Sequence, residues 1–301
     1  MTDLTATAHH AETRIHAPAS TDQGPLPYHR LGLLTPGWWR PLATLALAVL
    51  LYAAMVLALV LPAAVAGLVS PPFAAIMERT VSLDMADPWT LAASLAMLAL
   101  LVPTCRLTVR LLGRRGTLDS VARRFRWALF RSFVLVALPV TAASVGLSLI
   151  LSPAPIRVTA STLPLLVVAL LLVPFQAAGE EYLFRGLLPQ VVGGWLRSQW
   201  WGVAISVPLF TLGHSYDAPG LVGVGLFGVA ASWVTWRSGG LEAAVALHAV
   251  NNLSAFGLGA LGISDLNARV VTWPDAVLFS AIPVCFVAIY ELRRRRALAA
   301  R

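Results

Sequence analysis

The sequence predicts an all-α polytopic membrane protein, a bundle of about eight transmembrane helices. Three observations carry that expectation. The chain has 301 residues, of which 58% are hydrophobic and 12% charged, against about 45–50% apolar and about 25% charged in a soluble domain. Its mean hydropathy is +0.76. Its apolar residues gather into long uncharged runs without the alternation of a membrane β-barrel, so in lipid only helices can satisfy their backbone polar groups.

Along the chain, residues 1–40 are polar and hold His9, His10, His16 and His29 among Ala, Thr, Pro and Asp. They read as a disordered cytoplasmic tail with solvated histidines. No short apolar stretch with a small-residue cleavage site opens the chain, so no cleaved signal peptide is expected. The bundle occupies 41–292. Its runs, judged against the roughly 20 residues that cross a bilayer, are Leu42–Val69, Trp89–Cys105, Ser132–Leu151, Thr162–Ala178, Gln199–Gly213, Leu221–Trp236, Leu241–Gly262 and Ala276–Tyr290. Trp38, Trp39, Trp89, Trp127, Trp200, Trp201, Trp236 and Trp273 fall near their ends, as an interfacial aromatic belt requires. Residues 293–301 form a basic cytoplasmic tail.

Charge sets the orientation. Arg106, Arg110, Arg114, Arg115, Arg123, Arg124, Arg126 and Arg131 lie between the second and third runs against Asp119, and Arg293 to Arg296 follow the last run. The first loop carries Glu78, Asp84 and Asp87 against Arg79. Both termini and the basic loop are therefore expected in the cytoplasm of a multi-pass plasma-membrane protein. Segment 106–131 reads equally as a basic amphipathic surface helix or a solvated loop. The net charge of +8 belongs with anionic headgroups in such a chain, and nucleic acid is not expected as a partner. All 22 basic residues are arginine, which points to a GC-rich, bacterial genome. Cys105 and Cys285 carry no metal spacing and no disulfide framework. No internal repeat is found, which counts against the repeat-built transporters.

Within this apolar chain stands Gly179-Glu-Glu-Tyr-Leu-Phe-Arg-Gly186. A carboxylate in a bilayer costs several kcal/mol, from about 2.5 upward, unless it is paired or lines a wet cavity. Glu181 and Arg185 are four apart with the acid first, the favourable order for an intrahelical ion pair. Glu180 points about 100° away around the helix and is left free of that arginine. The bland alternative is one structural charge network. Downstream, Phe210 and His214 share a helical face, as do His248 and Asn252, with Asn251 close to the latter face. An asparagine amide beside a histidine can donate to a developing oxyanion, or act as interhelical polar glue.

Glu180-Glu181-x-x-x-Arg185, Phe210-x-x-x-His214 and His248-x-x-x-Asn252, in that order over roughly 160–262, resemble the three motifs of the CPBP family. These are the CAAX protease and bacteriocin-processing (Abi) intramembrane proteases, which include the type II CAAX prenyl endopeptidases. The resemblance implies peptide-bond hydrolysis in the membrane, on a membrane-associated or lipidated protein or peptide. Glu180 as general base and His214 would activate water. His248 and Asn252 would hold the oxyanion, with Glu181 and Arg185 in support. It also implies two kinds of chemistry: a divalent metal such as zinc on Glu180, His214 and His248, or a metal-free glutamate mechanism, since no HExxH is present. Buried Glu and His also mark ion paths, so a transporter or proton relay is the second reading, and a catalytically silent immunity-type protein the third. Span counting raises one conflict. It puts Glu180 about 27 Å down its helix and His214 about 15 residues up the next, near opposite membrane faces. The two meet only if 186–197 is irregular, as Gly186, Pro189, Gly193 and Gly194 allow, or if helix ends differ from the apolar runs.

Overall fold

The computed structural model describes residues 26–299, which form a helical bundle. Its helices are α1 (Arg40–Val69), α2 (Pro71–Val81), α3 (Pro88–Ala99), α4 (Leu101–Leu111), α5 (Trp127–Leu151), α6 (Thr162–Glu181), α7 (Leu188–Val192), α8 (Gln199–Leu212), α9 (Ala218–Ser238), α10 (Glu242–Ala260) and α11 (Trp273–Ala299). A 3-10 helix, Tyr28–Leu34, precedes them, and a π-helical turn, Tyr182–Leu187, joins α6 to α7. Helices α3 and α4 run on as one span, Pro88–Leu111, and α6 to α7 as another, Thr162–Val192. Seven segments among the described residues are thus long and apolar enough to cross a membrane. Helix α8, with 14 residues, is about 21 Å long and shorter than the bilayer core. The chain is a multi-pass membrane protein of about eight spans, as its composition predicts.

Burial follows residue size. Helix α10 lies in the middle, packed on α5, α6 and α9, and Ala243, Ala244, Ala246 and Leu247 are fully buried. Its alanines let neighbouring backbones come close, the main source of helix association where lipid removes the hydrophobic drive. Helix α1 lies at the periphery and exposes Leu50, Leu57, Leu61, Val65 and Leu68, the apolar surface that lipid tails cover. Gly179 shows the same logic at one residue. A Cβ there would sit 2.3 Å from the Leu98 carbonyl oxygen, so only glycine allows α6 against the α3–α4 junction.

Three expectations are revised. The first concerns residues 1–40. Residues 1–25, with His9, His10 and His16, lie outside the described residues, but Tyr28, His29 and Leu31 are buried. Tyr28 donates to the Leu118 carbonyl, and His29 Nε2 lies 2.9 Å from the Arg197 carbonyl oxygen. The tail is ordered from there because its aromatic and aliphatic residues cap the bundle. Second, α2 fills the first loop. Third, the basic connector after α4 is not a surface helix, and it is a continuous solvated loop only at residues 121–124. It folds inward, burying Thr117 to Ser120, and Ser120 pairs with Gly240 in an antiparallel bridge. The acids Asp119 and Glu242 draw it in, as the next section shows.

Candidate active site

The glutamates sit where α6 passes into the π-helical turn. A π turn inserts an extra residue into the helix and recurs at functional sites. Arg185 Nη1 stands 3.1 Å from Glu181 Oε1, the pair anticipated by the i, i+4 spacing, with both side chains at most 1% exposed. The guanidinium also stacks on Phe210, 4.1 Å from the ring centroid, a cation–π contact that desolvation strengthens. Across the interface, α10 presents His248. Its Nδ1 lies 2.7 Å from Glu181 Oε1 and its Nε2 3.4 Å from Glu180 Oε2. One imidazole therefore stands between two adjacent carboxylates. A carboxylate can only accept, so Nδ1 carries the proton given to Glu181, and the ring is oriented with Nε2 towards Glu180.

The two acids are unequal. Glu181 is fully buried and neutralised, whereas Glu180 keeps 8% of its surface and meets no arginine in an ion pair. Several polar atoms have unused valence: Glu180 Oε2, Glu181 Oε2, Arg185 Nε and Arg185 Nη2 are buried without a hydrogen-bond partner. Such atoms are rare in native interiors and favour water or a ligand as partner.

His214 follows the last turn of α8. Its Nδ1 lies 2.9 Å from the Phe210 carbonyl oxygen. A carbonyl only accepts, so Nδ1 holds the proton and Nε2 is a bare acceptor. Among the described residues His214 makes no hydrogen bond to Glu180 or His248. Phe210 links them, with its ring centroid 4.8 Å from that of His214 and 6.0 Å from that of His248. The depth conflict dissolves because the ends differ from the apolar runs. The span carrying Glu180 continues to Val192, and α8 returns antiparallel beside it, Gly202 against Pro189 and Phe210 against Phe184 and Arg185. His214, one turn beyond Phe210, thus approaches the level of the glutamates.

Asn252 gives Nδ2 to Gln176 Oε1 at 3.1 Å and accepts from Asn251 at 3.2 Å. Gln176, buried one turn before Glu180 on α6, went unnoticed in sequence. Its signal was an amide inside an apolar run at i−4 from the acid. Also unnoticed was the scaffold behind the glutamates. Tyr182 donates to Asp119, and Arg106 Nη2 reaches the same carboxylate at 2.7 Å. Arg126 binds Glu242 at the start of α10, Nη2 to Oε2 at 2.7 Å. These pairs tie the connector to both helices that carry the site.

Residues 160–254 match the family model described as "Type II CAAX prenyl endopeptidase Rce1-like". That stretch of the chain is similar to this family. It spans α6 to most of α10 and holds every motif residue named above. No curated protein and no solved structure matches the chain.

Within the matched stretch the three donors proposed for zinc do not converge. Among the described residues no group of three His, Cys, Asp or Glu side chains is placed to hold a metal ion. His248 turns its two nitrogens to the two glutamates, and only Glu180 and His248 approach each other. As placed, the residues do not fit a three-ligand site, and no step is derived through one.

Proposed function

We propose that the chain is an intramembrane endopeptidase that hydrolyses a peptide bond of a membrane-associated or lipidated substrate, with Glu180 as general base. The observation that carries this reading is the His248 imidazole between the two glutamates. Arg185 neutralises one of them, and the other forms no ion pair with an arginine and keeps 8% of its surface. Glu180 takes a proton from water, and the bare Nε2 of His214 accepts the second hydrogen and keeps the water oriented. The oxygen attacks the scissile carbonyl. His248, as an imidazolium that also carries a hydrogen on Nε2, and the second amide hydrogen of Asn252, the first being given to Gln176, stabilise the oxyanion. The proton held on Glu180 goes to the leaving amine. Glu181 and Arg185 are positioning residues that act through His248. The arginine-rich connector and both termini face the cytoplasm in this reading, which puts the substrate on that leaflet.

The test compares membrane proteomes of cells carrying wild type or Glu180→Ala. Peptides cut only with wild type are expected, and identical peptide sets would overturn the reading. A second arm concerns metal: purified protein stripped with a chelator keeps its rate within about twofold on the glutamate mechanism. Loss of activity restored by stoichiometric zinc would replace Glu180 as base by a metal-bound water.

A further inference from the structure

A second cleft, on the outside of the bundle, is lined by cations with no counter-charge. It lies between the Tyr28–Leu34 helix, the first turn of α1, the turn after α4 and the end of α7, and Thr35, Arg40, Thr44, Arg114 and Gln190 line it. Arg114 is 3% exposed. It gives Nη2 to Thr44 Oγ1 at 2.6 Å, while its Nε is buried without a partner. Thr35 Oγ1 and Gln190 Oε1 are also buried and unpartnered. Among the described residues neither Arg40 nor Arg114 forms an ion pair. Burial, and then the charge of Arg40, push the Arg114 pKa down. Both work against the cation, and no carboxylate in the cleft offsets them. A guanidinium taken out of water costs several kcal/mol unless an anion meets it.

Place and size narrow the anion. The positive end of α1, a helix of 30 residues, opens onto the cleft and adds to its field. Trp38, Trp39 and Trp195 nearby are 77%, 50% and 47% exposed, the belt that marks headgroup depth. The enclosed part is about 10 Å³, room for about one oxygen atom. A ligand therefore inserts an anionic oxygen and keeps its bulk outside.

We propose that this cleft binds a phosphate group through Arg40, Arg114 and the Thr35 hydroxyl. A glycerophospholipid headgroup and free phosphate both carry that group, and the tryptophan belt favours the lipid. The site lies apart from the glutamates and stands independently of the peptidase reading.

The experiment uses the full chain, purified in detergent, with thermal midpoint and native mass spectrometry as readouts. The probes are dioleoylphosphatidylglycerol, dioleoylphosphatidylcholine and inorganic phosphate. Phosphatidylglycerol is expected to raise the midpoint and give a bound adduct at concentrations where phosphatidylcholine does neither. Arg40→Gln and Arg114→Gln each weaken that response about tenfold, the effect of losing one charge-assisted hydrogen bond. An equal response of wild type to inorganic phosphate, lost in both variants, supports the site and makes its source a soluble anion. Arg40 is half-buried, so Arg40→Gln keeps the test open if Arg114→Gln does not fold. Arg40→Gln responding to every probe as wild type does, or wild type responding to none, overturns the proposal.

Discussion

Neutralising each glutamate in turn separates chemistry from scaffolding. Glu181→Gln keeps the shape of the side chain but removes the charge opposite Arg185, whose side chain is 1% exposed. It also weakens the 2.7 Å acceptor of His248 Nδ1. Removing one partner of a buried ion pair costs about 3–5 kcal/mol, because the other charge stays buried. At about 2–4 °C per kcal/mol for a chain of this size, the midpoint should fall on the order of 10 °C. Glu180→Gln loses a contact of 3.4 Å and leaves no arginine unpaired. Its stability cost is about 1 kcal/mol or less, while on the proposed mechanism the loss of the general base lowers the rate about 10²–10⁴-fold. The assay is thermal unfolding of both proteins in one detergent, beside turnover of a peptide found to be cut with wild type and not with Glu180→Ala. The asymmetry between the acids is wrong if Glu180→Gln destabilises as much as Glu181→Gln, or if Glu180→Gln keeps wild-type turnover.

Asp119→Asn weakens the acceptor shared by Tyr182 and Arg106. A stability loss of about 1–3 kcal/mol is expected by chemical denaturation, and Tyr182→Phe should lose less. Gly179→Ala forces α6 away from Leu98, where the new Cβ would lie 2.3 Å from a carbonyl oxygen. Destabilisation of about 1–3 kcal/mol or more should accompany lost activity, and a stable, active variant would contradict the close packing. Desolvation, the largest influence on His29, lowers its pKa below the ordinary 6.5. The unfolded chain then binds the proton more readily than the folded one, so stability is full above about pH 6.5 and is lost as pH falls through the folded value. Unfolding midpoints of wild type between about pH 7.5 and about pH 5 should drop more steeply than those of His29→Gln.

The fold class and the three motifs were legible because each rests on local spacing. Apolar runs of bilayer length impose helices, and a carboxylate among them stands out by its cost alone. The Glu181–Arg185 pair was legible for the same reason, since four residues make one helical turn. Gln176, Asp119 and Glu242 were not. Each finds its partner far along the chain, as Gln176 does with Asn252, and nothing in the sequence records which helix faces which. The order of residues 28–34 was hidden too, since Tyr28 and Leu31 are unremarkable until a surface exists to cover.

By itself, then, the sequence determined that the chain lies in a membrane, that it is helical, and that Glu180, Glu181, Arg185, His214, His248 and Asn252 stand out as polar groups in its apolar part. Composition and periods of three and four residues suffice for that. Only the tertiary structure decided that His248, through α10 crossing α6, is the histidine in contact with both glutamates. It also decided that the span of Glu180 runs on to Val192 so that α8 returns His214 towards the same level. The physical reason is that a helix fixes its own neighbours along one axis, whereas the choice of which polar groups share a dry interior belongs to the packing of the whole bundle.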